Sequence, residues 1–197
     1  MIRRRVAKPA TRHSADSHKG KNPVSSPTIV YQGPKFHVER HDVRDRQGDP
    51  RRYDLVVHPG AAVVLPLLDD GRVLLIQNYR FAIGRDLLEL PAGTIDPPES
   101  PEECARRELA EETGYHAAEL RLLLSFYSTP GICSEHMHAF VATQLTQGQA
   151  DRDPGERIQN TPMEYTEALR AIGDGRITDA KTIVALLYYD HYVREPR

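Results

Sequence analysis

Tryptophan is absent from this chain and phenylalanine occurs only four times. Cysteine is nearly as scarce: Cys104 and Cys133 are the only two, so no disulfide framework is implied. No apolar run approaches the roughly 18–20 residues that a membrane-spanning helix requires. Charge of one sign is also lacking, since 26 Lys and Arg stand against 28 Asp and Glu. The resulting net charge of -2 makes no case for nucleic acid or for an acidic tail. The opening MIRRRVAKPATRHSADSHKG is charged without a hydrophobic stretch and is not expected to be a secretory signal. Residues 1–27 read instead as a solvated, disordered basic tail. A chain of 197 residues can build one domain with a genuine core. The expectation is a cytoplasmic protein with neither nucleic acid nor membrane as partner.

What the chain does have is concentrated between Gly93 and Tyr115, GTIDPPESPEECARRELAEETGY. Glu108, Glu111 and Glu112 stand at i, i+3 and i+4 and share one face of a helix. Like charges at that spacing repel by a few tenths of a kcal/mol per pair, roughly, in an isolated helix. A plain surface helix gains nothing from this arrangement, whereas a divalent cation removes the repulsion. Oxygen-only ligands point to a hard ion, magnesium or manganese rather than zinc. Ser100 with Glu103 three residues later spells a capping box, Pro101 suits the first helical position, and Gly114 suits a left-handed C-cap. Cys104, Ala105 and Leu109 give the helix a small apolar side.

Around this helix the chain reads mainly as strands. Thr28–Gln32, Phe36–Arg40 and Tyr53–His58 are polar, β-rich runs that would bury little by themselves. Ala61–Leu68 and Arg72–Gln77 are apolar runs separated by the hairpin signal Asp69-Asp70-Gly71. Leu87–Leu90 leads into Pro91-Ala92-Gly93; Leu120–Tyr127 and His138–Thr143 follow as strands. Gln147–Asn160, with Gly148, Pro154 and Gly155, reads as a long pliable loop. A helix over Thr166–Ile172 closed by Gly173 and another over Asp179–Val193 capped by Asp179 complete the chain. Strands, helix, strands, then helices suggest a mixed sheet with helices on its faces. Nine histidines supply no third ligand at fitting spacing for zinc, and no Ser or Cys partner for a histidine-activated nucleophile.

The pattern G-x5-E-x7-R-E-L-x-E-E-x-G resembles the Nudix box, with every fixed position present. Three further stretches resemble the ADP-ribose pyrophosphatase branch of that family. They are Gln77-Asn78-Tyr79-Arg80 leading to Leu88–Gly93, Ser128–Glu135 with its Pro130, and Gly175–Thr182. The likeness runs over roughly residues 36 to 193. It implies an α/β/α sandwich of the α/β (α+β) class with a mixed sheet over residues 59–197. An N-terminal β-strand extension over 28–58 would serve dimerisation, the branch being typically homodimeric.

The resemblance also assigns roles. Glu108, Glu112, the Ala92 carbonyl and Glu111 would hold magnesium, or manganese; Arg107 would keep the glutamates in register. Glu99 and Glu89 would support the metal. Glu156, on the loop, would be the catalytic base, with Asp153 as substitute, because Arg152, Arg157 and Gln159-Asn160 thin the usual acidic loop. Arg80, Glu135, Thr94 and Pro130 would meet substrate, and Arg51 and Arg52 would reach the partner subunit's substrate. The implied reaction is metal-dependent hydrolysis of ADP-ribose to AMP and ribose 5-phosphate. The alternatives are a pyrophosphatase for GDP-mannose or UDP-glucose, and a non-catalytic nucleotide sensor, although sensors usually lose the box glutamates.

Overall fold

The computed structural model describes residues 26–152 and 157–194. Ten strands and three helices are built from them: β1 (Thr28–Gln32), β2 (His37–Arg44), β3 (Pro50–Val57), β4 (Ala61–Pro66), β5 (Arg72–Arg80), β6 (Arg85–Glu89), β7 (Ala92–Thr94), α1 (Pro101–Thr113), β8 (Tyr115–Tyr127), β9 (His136–Gln147), β10 (Ile158–Glu164), α2 (Tyr165–Gly173) and α3 (Ala180–Tyr192). A single 3-10 turn at Phe81–Ile83 links β5 to β6.

The central sheet runs β7-β4-β9-β8, with β4 and β9 parallel and the other pairs antiparallel. Both faces of β4 are buried, and its strict alternation sorts side chains into two layers. Ala62 and Val64 join Phe140 and Ala142 of β9 under Cys104, Ala105 and Leu109 of α1. Ala61, Val63 and Leu65 face the opposite way, toward Ala168 of α2 and Ala185 and Leu186 of α3. The expected mixed sheet between helical layers is what the chain builds.

The hairpin at Asp69-Asp70-Gly71 forms, with Gly71 at φ +86° and Leu68 and Arg72 closing the turn. Its two arms then part. Leu67↔Val73 is an isolated bridge, and β5 continues into a second sheet ordered β10-β5-β6. Here the structure corrects the expected loop over Gln147–Asn160: Ile158-Gln159-Asn160 opens β10, paired antiparallel with β5 from Ile158↔Asn78. β10 is polar and holds Pro162, a residue that sheets accept on an edge strand, which is where β10 lies. Other boundaries shift less. β8 starts at Tyr115, directly after Gly114, and β9 reaches Gln147. β4 stops at Pro66, and Gly173 is the last residue of α2, with Asp174 as its C-cap.

β1, β2 and β3 form a separate antiparallel sheet, and all of β1 is exposed. It is hydrogen-bonded to the body where Val56 N donates to Ile132 O, and Ser134 N to Val56 O, each at 2.9 Å. The tail expected over 1–27 lies outside the described residues except for its last two positions.

Candidate active site

α1 begins as the sequence demands. Ser100 Oγ accepts from Glu103 N while Glu103 Oε2 accepts from Ser100 N, and Gly114 closes the helix at φ +79°. Cys104, Ala105 and Leu109 are buried beneath it, so the opposite face with Glu108 and Glu111 is turned to a cleft of about 700 Å³. Glu112 is buried at the edge of that face, where its Oε2 accepts from Ala92 N at 2.9 Å.

Arg107 organises the carboxylates. Its guanidinium donates to Glu99 Oε1 and Glu108 Oε1 at 2.6 Å, to Glu111 Oε2 at 3.1 Å and to the Thr94 carbonyl at 3.1 Å. These partners, Glu99 first, raise its pKa further above the ordinary value. Arg107 in turn holds the Glu99 carboxyl down at about 2, from an ordinary 4.5. The folded-state value lies below the unfolded one, so the pairing stabilises above pH 4.5 and the contribution fades as pH falls toward 2. Glu99→Gln is therefore expected to unfold in less urea than wild type at pH 7, with the gap closing between pH 4.5 and 2. A gap independent of pH would contradict this account. The Cys104 thiol is pushed up to about 12, chiefly by burial, and points at the Thr94 carbonyl. It is structural and no nucleophile.

Gly93 explains how strand and helix come so close. A Cβ at that position would lie 1.8 Å from Glu108 Oε1, so the carboxylate occupies the space a side chain would need. Among the described residues no three His, Cys, Asp or Glu side chains converge to ligand distance. The donor chemistry nevertheless fits a hard divalent cation: three carboxylates on one helical face, next to the backbone of Ala92 and Gly93.

Arg80 and Lys181 line the same cleft, each held by carboxylates. Glu89 is 0% exposed, and Arg80 grips it in bidentate fashion at 2.7 and 2.6 Å. Lys181 Nζ reaches the same carboxylate at 2.6 Å and Asp179 at 2.8 Å. Asp179 caps α3 through Thr182 N, and Thr182 Oγ1 accepts from Leu90 N. Glu89, expected to support the metal, is here the buried anchor of two cations.

Most of the anticipated site residues line this one cleft: Arg80, Ala92, Thr94, Arg107, Glu135 and the glutamates of α1. Glu135 stands 3.8 Å from His58 Nδ1. Pro130 is exposed on the β8–β9 connection and is not part of the lining. Arg51 and Arg52 do not line it either; they pair with Asp45 and Asp42 on the outer sheet. From that sheet it is Pro34 and Lys35 that approach. Glu156 and Asp153 lie outside the described residues. Lys181, Tyr127 and Lys35 were not singled out by sequence. Lys181 did carry a signal, because a cation in the first turn of a helix opposes the macrodipole and needs another reason to be there.

The NUDIX domain family model matches residues 57–185. The chain belongs to the Nudix hydrolase family. Among curated relatives, the ADP-ribose pyrophosphatase of Bacillus subtilis (strain 168) is 32% identical over 161 residues, covering 81% of this chain and 87% of the relative. The methanol dehydrogenase activator of Bacillus methanolicus matches with the same identity and coverage. A GDP-mannose pyrophosphatase of Yersinia enterocolitica is 40% identical over 166 residues, covering 78% of this chain and 86% of its own. A solved structure described as an ADP compounds hydrolase superposes with a TM-score of 0.74 at 27% identity, covering 87% of this chain and 96% of that one.

Proposed function

We propose that the protein hydrolyses the diphosphate bond of a nucleoside diphosphate sugar, with ADP-ribose as substrate and AMP and ribose 5-phosphate as products. The observation that carries this reading is the pairing of an acidic helical face with the Arg80–Lys181 cation pair across one cleft. A diphosphate needs both: cationic side chains for its outer oxygens, and carboxylates to bring a metal to its inner ones. Relatives that carry pyrophosphatase names support it.

Glu108, Glu111, Glu112 and the Ala92 carbonyl would hold magnesium or manganese. When bound, such an ion neutralises the diphosphate and lowers the pKa of a water for in-line attack. Arg107 keeps Glu108 and Glu111 from turning away, and Glu99 keeps Arg107 in place. Arg80 and Thr94 orient the diphosphate, and Glu135 meets the nucleoside end. A base on the loop, Glu156 or Asp153, takes the proton of the attacking water. The water oxygen joins phosphorus, the bridging P–O bond breaks, and the leaving phosphate carries the departing electron pair. The reading further includes a cytoplasmic homodimer joined through β1–β3, which would bring Arg51 and Arg52 to the partner subunit's substrate.

The 40% identity to a GDP-mannose pyrophosphatase favours one second reading, the same chemistry on a GDP-sugar. Hydrolysis of ADP-ribose, GDP-mannose, UDP-glucose and NADH with Mg²⁺ and with EDTA separates them. Metal-dependent turnover greatest on ADP-ribose is the expected result. A GDP-mannose preference would change the pocket and keep the mechanism, and nucleotide binding without turnover on any substrate would overturn the enzymatic reading.

A further inference from the structure

Four successive carbonyls at the C-terminal end of α1 are satisfied from one direction. Glu111 O accepts from Asp151 N at 3.1 Å, and Glu112 O from Arg152 Nε at 2.7 Å. Thr113 O accepts from Asn160 Nδ2 at 2.8 Å, and Gly114 O from Gly148 N at 2.6 Å. Arg152 Nη2 also donates to Asn160 Oδ1 at 3.0 Å, which joins the two side chains into one clip. The last turn of α1 has no basic residue of its own, although the macrodipole favours a cation there. Arg152 supplies one from outside the helix.

The clip has two ends with different attachments. Glu112 is gripped twice, through its carboxylate by Ala92 N and through its carbonyl by Arg152. Asn160 sits in β10 opposite Ile76 of β5, the strand that ends in Arg80. A hydrogen-bonded path therefore runs from the acidic end of α1 to the sheet that bears the cation pair. At Gly114 a Cβ would meet Ala150 N at 2.9 Å, so the segment lies hard against the helix end.

We propose that Arg152, with Asn160, is a positioning pair for the metal-binding face, setting Glu111 and Glu112 against Ala92 and fixing that face relative to the Arg80 wall. The proposal rests on the cation-binding reading of the site given above. It assigns work to two residues at which the loop departs from its family's acidic pattern.

The test is Mn²⁺ binding to the full chain, followed by the electron paramagnetic resonance signal of the free ion, in wild type, Arg152→Ala, Arg152→Lys and Asn160→Ala. Arg106→Ala serves as control, because Arg106 is on the same helix but pairs with Glu102 and the Ala117 carbonyl. Arg152→Ala and Asn160→Ala are expected to weaken Mn²⁺ binding about tenfold, as loss of a group supporting a ligand does. Arg152→Lys should recover part of the loss, and Arg106→Ala should bind as wild type even where its melting temperature falls equally. Binding within twofold of wild type in both Arg152→Ala and Asn160→Ala would overturn the proposal. Should Arg152→Ala not fold, Arg152→Gln and Asn160→Ala decide by the same criterion. A wild type that binds no Mn²⁺ would overturn the cation reading itself, a failure visible before any variant is made.

Discussion

Glu112→Gln is expected to cut kcat/KM on the preferred substrate about a thousandfold or more, the equivalent of ~4 kcal/mol of charge stabilisation in the transition state. The change is nearly isosteric. A glutamine oxygen can still accept from Ala92 N, the hydrogen bond that the Glu112 carboxylate makes at 2.9 Å. Its burial means the neutral amide avoids the cost of keeping a charge out of water. The fold should therefore survive, with a melting temperature within about 4 °C of wild type. Steady-state hydrolysis beside a thermal melt checks both halves. Retained turnover in the folded variant would remove Glu112 from the metal site.

Gly93→Ala should separate activity from stability still more clearly. The new methyl would stand 1.8 Å from Glu108 Oε1 and 2.0 Å from its Cδ, so the carboxylate must leave. The three atoms nearest that methyl all belong to the end of the Glu108 side chain, which is what gives way. Gly93 pairs with Ala62 within the sheet and has no positive φ, so alanine fits the local backbone. Alanine in place of a strand glycine even gains roughly 0.5–1 kcal/mol, which offsets much of the local repacking. Activity should fall about a hundredfold, the upper range for a disturbed ligand environment, with Mn²⁺ affinity falling in parallel. Calorimetric titration with Mn²⁺ would show it. Affinity and turnover both within threefold of wild type would mean that Glu108 has no part in holding the ion.

The readable parts of this protein are those where one residue has one job. The cap of α1 is written in Ser100, Glu103, Pro101 and Gly114, and all four act locally as expected. β4 is legible because both of its faces are buried and every side chain is apolar or small. The acidic face could be placed because helical spacing alone brings positions 108, 111 and 112 together. β10 escaped notice for the opposite reason: as a polar edge strand with a proline, it is defined by its pairing with β5 and hardly by its composition. Glu89 shows the same limit within the site. That Arg80 and Lys181 both grip Glu89 has no local signal, since Lys181 comes from 92 residues away. Arg152 likewise reads as an exposed loop cation until α1 and β10 are laid beside it.

The parallel pairing of β4 with β9 bears on how the active site comes into being. Ala61 meets Met137 and Val64 meets Phe140, so the contact closes only after more than seventy intervening residues have been made. Closing a loop of that size must precede any gain from the pairing, which makes such contacts slow relative to hairpins and helices. α1 lies inside that loop, and part of its apolar seat, Phe140 and Ala142, belongs to β9. The helix can form early from its own caps, but before β9 arrives the buried part of its seat is limited to Ala62, Val64 and Ile95, with Tyr115, Ala117 and Leu120 of β8 at its margin. A nascent chain that ends before residue 136 thus carries the complete acidic signature on an unfinished floor.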